Sequence, residues 1–280
     1  MKIAKKTPHP ELDSVLNDIA KKLKSELKNN FVGFYLQGSL AIGDFDLTSD
    51  VDFIVVTNND LSEKEVDVVQ QIHTHFYDQG NRWVKRLEYS FFPKDKLNVA
   101  SSPFINGRRN ESYERKLWYF NNGSPRIEKS DHCNTLVVRS TVREKGIVLL
   151  GPNPKTLIPP IKPNDLRKEI KETMAGWGKD LLEKPDEYKN RFYQSYLVLN
   201  YARMLHDLNQ GRIGSKLSGI IWAKSSLDPK WTFLIDYCWK ERQDTSISIK
   251  QPANQDVFKK SLEFVKYAVE KGEKYALDYA

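Results

Sequence analysis

Cysteine is nearly absent from this chain, with two residues, Cys133 and Cys238, in 280. Two thiols make neither a disulfide framework nor a zinc ligand set, which sets aside a small cross-linked secreted fold and a structural zinc centre. Long apolar runs are missing too. The longest, such as Phe53–Val56 and Ile147–Leu150, are of strand size, against the roughly 20 residues that a membrane-spanning helix needs. The opening MKIAKKTPHPELD has lysines but no apolar stretch, so no signal peptide is read there and a soluble, cytoplasmic protein is expected. The five histidines form no ligand set, and His73 and His75, two apart on a predicted helix, do not share a face. Walker A, G-x-S-x-G and G-x-G-x-x-G patterns are all missing, so P-loop, hydrolase-elbow and Rossmann readings have no support. No repeat of fixed period and no low-complexity tract is present.

What the chain does have is core material. Hydrophobic residues make up 39%, with 13 Phe, 13 Tyr and 6 Trp, which excludes wholesale disorder. Lys and Arg number 44 against 37 Asp and Glu, a net charge of +7. A mild excess of this sign suits an anionic ligand, nucleic acid or a small phosphorylated molecule, without choosing between them. Part of it, Lys21, Lys22, Lys24 and Lys28, reads as the solvated face of a helix.

Helices and strands alternate in the first half. Leu12, Val15, Leu16, Ile19, Leu23 and Leu27 lie at helical spacing. FVGFYLQGS then reads as a strand entering a tight turn, and DVDFIVV, Asp50–Val56, as a second strand. Ser62 and Glu65 form a capping-box pattern ahead of a helix through Val66, Val69, Ile72 and Phe76. Val84–Phe92 alternates as a third strand, with Val84, Arg86, Glu88 and Ser90 on one face. A further helix and IVLLGP follow. GPNPKTLIPPIKPND carries five of the 13 prolines and no period, which marks a domain connection. Beyond it, Leu166–Leu182, Tyr188–Leu208, Lys216–Ala223, Lys230–Lys240 and Val257–Leu277 all read as helices. The expected division is a first domain over 1–154, a linker over 155–164 and a helical domain over 165–280.

The richest chemistry sits between Gly38 and Val56. Residues two apart in a strand point to the same side, so Asp50 and Asp52 present paired carboxylates on one face. Magnesium takes oxygen ligands and is commonly shared between one or two carboxylates and substrate phosphates. A turn at Gly38 lets backbone amides approach a phosphate, and the Ser39 hydroxyl adds a donor. Together these suit a metal-bound nucleoside triphosphate. Glu88, on the polar face of the next strand, either completes the metal site or acts as general base.

In the helical half, QSYLVLNYARMLHDL is apolar almost all round and is expected to be buried. Arg203 within it has two readings: an ion pair with Asp207 at i+4, or a contact with the triphosphate. Lys216 follows the Gly-rich turn GRIGSK at a predicted helix start, where its cation can reach phosphate oxygens. Arg139 and Arg143, four apart, read as a surface pair.

Gly38-Ser39, ten further residues and Asp50-Val51-Asp52 before an apolar run resemble the signature of the polymerase-beta-like nucleotidyltransferases. Within that superfamily the chain is similar to the streptomycin/spectinomycin adenylyltransferases. The likeness runs over about residues 30–240, through SDVDFIVV, RLEYSFF, REKGIVLLGP and YARMLHDLNQGRIGSKLSGIIWA. It implies an α+β fold, a nucleotidyltransferase domain with a small mixed sheet followed by an all-helical domain. It implies ATP and magnesium, with AMP passed to a hydroxyl of a small acceptor, an aminoglycoside-type antibiotic. Membrane and nucleic acid are not the expected partners. By the resemblance, Ser39 and Ser49 meet phosphates, Asp50 and Asp52 hold metal, Glu88 deprotonates the acceptor, and Arg203 and Lys216 bind the triphosphate. Where family members carry Phe-Gly-Glu-Trp after the third strand, this chain has LWYFNNGSPRIE. The acidic candidates ahead of the arginine-bearing helix are Asp186 and Glu187. Two alternatives are a transferase acting on a protein side chain or RNA end, and a nucleotide-binding regulator without catalysis. An intact Asp50, Asp52 and Glu88 set argues against the second.

Overall fold

The computed structural model describes residues 7–98, 103–105, 108–110 and 112–275. In chain order its helices and strands are α1 (Pro10–Leu27), β1 (Phe31–Leu36), α2 (Gly38–Ile42), β2 (Val51–Thr57), α3 (Glu63–Asp78), β3 (Leu87–Pro93), β4 (Phe104–Ile105), β5 (Arg108–Arg109), β6 (Leu117–Phe120), β7 (Ile127–Ser130), α4 (Leu136–Lys145), β8 (Ile147–Leu150), α5 (Pro163–Glu183), α6 (Arg191–Gln210), α7 (Lys216–Ser226), α8 (Thr232–Arg242) and α9 (Gln255–Glu273). They fall into two units, one of Met1–Phe45, Ser49–Ser101 and Ser112–Pro160, the other of Asp46–Thr48, Ser102–Glu111 and Ile161–Ala280. No helix among the described residues is long and apolar enough to cross a membrane. The lysine-bearing start at 1–6, and the end of the last expected helix from 276 on, lie outside the described residues.

The first unit is built on a mixed six-stranded sheet in the order β7-β6-β3-β2-β1-β8. Parallel pairing needs a crossover, and α3 supplies it between β2 and β3; the remaining neighbours are antiparallel. Ser62 and Glu65 form the capping box that starts α3. Period-two alternation divides β2 between two apolar layers. Val51, Phe53 and Val55 join the core under α1 and α3, while Ile54 and Val56 join a second core with Val142 of α4 and Ile158. Asp52 stands on the Ile54 side, at the end of that face.

Behind the carboxylates runs an aromatic ladder. Phe34 stacks on Phe53 at 4.3 Å, Phe53 on Tyr89 at 4.2 Å, Tyr89 on Phe120 at 4.8 Å, and Phe120 on His73 at 4.0 Å. Such pairs are each worth about 0.5–1.5 kcal/mol beyond the area they bury, so the ladder stiffens the strands that carry Asp52 and Glu88.

The third strand begins later than its alternation suggests. Val84–Arg86 is a turn of 3-10 helix, and pairing with β2 starts at Leu87, so Val84 and Arg86 do not share a strand face with Glu88. The reading of Arg139 and Arg143 as a surface pair is also corrected. Arg139 is 2% exposed and donates to the Lys96 carbonyl at 2.8 Å; Arg143 donates to the Ile158 carbonyl at 2.8 Å. Spacing of i, i+4 shows that two residues share a helix face but not which way that face points. Ile158, within the proline-rich stretch, is 2% exposed in the core of the first unit.

In the second unit α6 is the central helix, with Leu197, Val198, Leu199, Tyr201, Ala202, Leu205 and Leu208 all buried. It packs against α5, α7, α8 and α9. The approach of α7 is set by Gly219, where a β-carbon would lie 2.6 Å from Arg203 Cα. Only a residue without one fits there.

Candidate active site

Parallel register sets Asp52 opposite Glu88 across β2 and β3, so their side chains leave the sheet on the same face. Asp50 precedes Asp52 by two residues on that face. Among the described residues, one carboxylate oxygen each from Asp50, Asp52 and Glu88 lies within 4.8 Å of the other two, and all three groups are half-buried. Gly38 opens α2 in the left-handed region at φ 59°. A β-carbon there would lie 2.8 Å from Asp52 Cγ and 2.9 Å from its Cβ, so the backbone turn lies directly against the Asp52 carboxylate. The Gln37 amide also donates to the Asp52 carbonyl at 2.9 Å. The expected tight turn is thus a short helix, α2.

Three hard oxygen donors converging at this range suit a divalent cation such as magnesium. Without a cation they repel, and Asp50 and Glu88 each have a neighbour that steadies the carboxylate. Asn122 Nδ2 donates to Asp50 Oδ1 at 2.8 Å, and His132 Nε2 lies 3.1 Å from Glu88 Oε1. Burial first, and then the Glu88 charge, raise the Tyr119 phenol far above its ordinary range; it stays protonated and donates to Asn121 Oδ1 at 3.2 Å. The same two causes push the Cys133 thiol up, so this buried cysteine is no thiolate nucleophile. Asn122, His132 and Tyr119 had no sequence signal. They belong to the β6–β7 hairpin and the turn after it, far along the chain.

Ser39 is half-buried as the second residue of α2, and its carbonyl accepts from the Gly43 and Asp44 amides, each at 3.0 Å. Ser49 is 5% exposed just before Asp50, and its carbonyl receives Arg86 Nη1 at 3.5 Å. The structure therefore gathers Gly38, Asp50, Asp52 and Glu88, with Ser39 and Ser49 adjoining them in the chain.

Arg203 and Lys216 belong to the second unit. Arg203 donates to Asn200 Oδ1 at 3.1 Å. Among the described residues no ion pair joins it to Asp207, which corrects the i+4 pairing. Asp207 bonds instead to His206 Nδ1 at 2.9 Å and the Gly214 amide at 2.8 Å. Burial raises its pKa, opposed by His206, by the Arg203 charge and by that amide. Lys216 is the first residue of α7, and its Nζ lies 5.5 Å over the Tyr196 ring. Tyr196 in turn stacks on Phe192 at 4.9 Å.

Residues 16–119 match the model of the nucleotidyltransferase domain, and residues 156–271 that of the aminoglycoside adenylyltransferase C-terminal domain. The chain is a nucleotidyltransferase similar to the aminoglycoside adenylyltransferases. It is 27% identical over 228 residues to a spectinomycin 9-adenylyltransferase of Staphylococcus aureus, covering 79% of this chain and 81% of the relative. Among solved structures, spectinomycin adenyltransferase AAD(9) from Enterococcus faecialis, crystallised with ATP and spectinomycin, superposes with a TM-score of 0.66 at 17% identity. The superposition covers 93% of this chain and 99% of that one. The α+β fold, a mixed-sheet nucleotidyltransferase domain with a helical C-terminal region, is that of this enzyme class.

Proposed function

We propose that this enzyme transfers AMP from ATP to a hydroxyl of a small aminoglycoside-type acceptor. The observation that carries the reading is the convergence of Asp50, Asp52 and Glu88 within 4.8 Å against the Gly38 turn. In this reading Asp50 and Asp52 hold magnesium, and Gly38, Ser39 and Ser49 lie along the phosphates. Magnesium, when bound, supplies positive charge that offsets the charge gathering on the phosphate oxygens.

Glu88 is the general base. Its carboxylate takes the proton of the acceptor hydroxyl as that oxygen forms its bond to the α-phosphorus of ATP. The bond between the α-phosphorus and the bridging oxygen breaks, and pyrophosphate leaves with the electron pair. Arg203 and Lys216 bind triphosphate oxygens and hold the α-phosphorus in line for attack. A cationic acceptor calls for carboxylates, and Asp186 and Glu187, in the 3-10 turn Pro185–Tyr188 before α6, are the ones nominated. Arg191 does not oppose them with a bare charge, because Glu241 and Asp244 pair with it.

The deciding experiment incubates the protein with ATP, magnesium and spectinomycin and follows the AMP adduct by mass spectrometry. An adduct with wild type and none with Asp52→Asn, whose circular dichroism is unchanged, supports the reading. No adduct on spectinomycin or streptomycin withdraws the small-molecule acceptor.

A further inference from the structure

Three carboxylates at this range do not orient one another, since like charges push each away from the common point they must share. Side chains that position metal ligands are donors to the oxygens the ion does not use. Two such donors come from a single stretch of the first unit. Asn122 sits in the turn between β6 and β7 and reaches Asp50 Oδ1 at 2.8 Å; His132 follows β7 and meets Glu88 Oε1 at 3.1 Å.

Both donors stand on backbone that is pinned from elsewhere. The turn bearing Asn122 has Gly123 at φ 74° and is tied to α3 by three side chains. His73 Nε2 meets the Ser124 carbonyl at 3.1 Å, Tyr77 Oη donates to the Gly123 carbonyl at 3.3 Å, and Gln70 Nε2 donates to the Pro125 carbonyl at 2.8 Å. The turn bearing His132 is anchored next door, where Asn134 Nδ2 donates to the Arg115 carbonyl at 2.6 Å and Arg115 Nη2 to the Asn134 carbonyl at 3.1 Å. His132 also leans on the Tyr119 ring, with centroids 5.7 Å apart. An asparagine on a free loop would follow its carboxylate; one on a pinned turn directs it.

We propose that Asn122 and His132 are the positioning residues of the carboxylate site, Asn122 setting Asp50 and His132 setting Glu88. This rests on the metal reading above and goes beyond it, because it assigns the preorganisation of the site to the β6–β7 hairpin. Asp50 keeps its remaining lone pairs for the cation and Glu88 its second oxygen for the acceptor proton, while one oxygen of each is held by the hairpin. Both side chains are solvent-exposed, so their replacement leaves the core intact.

The test measures Mn2+ affinity by electron paramagnetic resonance, in the full chain with α,β-methylene-ATP present, and single-turnover AMP transfer from ATP to spectinomycin. Asn122→Ala should weaken Mn2+ binding by about 10-fold or more, the usual effect of removing a residue that orients a metal ligand. His132→Ala, which frees the base, should leave Mn2+ affinity nearly unchanged and slow AMP transfer by about 10-fold or more. His132→Gln restores an N–H donor and should stay within about threefold of the wild-type transfer rate. Unchanged Mn2+ affinity in Asn122→Ala together with an unchanged transfer rate in His132→Ala overturns the proposal while leaving the metal reading standing. An equal loss in His132→Gln and His132→Ala overturns the role given to the His132 donor. Wild type that binds no Mn2+ removes the metal reading, and this proposal with it.

Discussion

The backbone of Gly38 is stacked directly against the carboxylate of Asp52, so that a β-carbon at Gly38 would lie 2.8 Å from Asp52 Cγ. The backbone of Asp52 has no room to yield. Its strand is paired on both sides, and the Gln37 amide, next to Gly38, holds its carbonyl. Position 38 also has φ 59°, a conformation that costs a residue with a side chain roughly 1–2 kcal/mol. Gly38→Ala should therefore displace the Asp52 carboxylate, lower the melting temperature by several degrees and abolish AMP transfer. Normal transfer in that variant would show that the turn and the carboxylate move independently.

Asp52 and Glu88 face each other in register yet are assigned different work, and their amides should separate the two roles. Asp52→Asn removes a ligand and should abolish nucleotidyl transfer. Glu88→Gln should leave ATP binding nearly unchanged and slow transfer by about 10²–10⁴-fold, the contribution of a positioned base. Calorimetry with ATP and magnesium beside single-turnover kinetics distinguishes them. Collapse of ATP affinity in Glu88→Gln would make Glu88 a metal ligand first.

The pairing of Asp50 with Asp52 was legible in the sequence because strand alternation is a local rule, and the capping box at Ser62 and Glu65 was legible for the same reason. Glu88 needed a register between strands separated by a whole helix, and only its placement on a strand of matching polarity pointed to it. Asn122 carried no signal, since its contact with Asp50 spans 72 positions and depends on where a hairpin turn is pinned. Arg139 was misread because a helical stripe of two cations looks the same in sequence whether it faces water or a buried carbonyl. The Arg203–Asp207 pairing failed differently. The spacing permits it, but the Gly214 amide and His206 reach Asp207 first.

His73 makes stability depend on pH. Its Nε2 faces the Ser124 carbonyl, which can only accept, so Nε2 carries the proton and Nδ1 accepts from the Tyr89 hydroxyl. Burial holds its pKa down at about 4, against an ordinary 6.5, with the Ser124 bond opposing. Between these values the unfolded chain binds a proton that the folded chain does not. Stability attributable to His73 is therefore complete above the unfolded value and lost as pH falls toward 4, by roughly 3 kcal/mol over that window. Denaturant unfolding at pH 7 and pH 4.5 should show the drop, and His73→Gln should flatten it. A wild-type profile that parallels the variant's would assign the acid sensitivity to other groups.

Arg203 and Lys216 complete the proposed nucleotide contacts from the helical unit. Arg203 keeps its charge unpaired by Asp207 and is steadied by Asn200 at 3.1 Å, while Lys216 starts a helix with Nζ over the Tyr196 ring at 5.5 Å. Hydrogen bonds to charged groups contribute about 1.5–3 kcal/mol, so Arg203→Ala and Lys216→Ala should each weaken ATP binding by roughly 10- to 100-fold. The loss should be larger at low salt than at high, because ions screen what each charge was worth. Tyr196→Leu should produce a smaller effect of the same kind, since it removes the ring beneath the Lys216 ammonium without removing the charge. Isothermal calorimetry at two ionic strengths decides the matter. Unchanged ATP affinity in both alanine variants would confine the nucleotide's contacts to the first unit and leave Arg203 as a structural partner of Asn200.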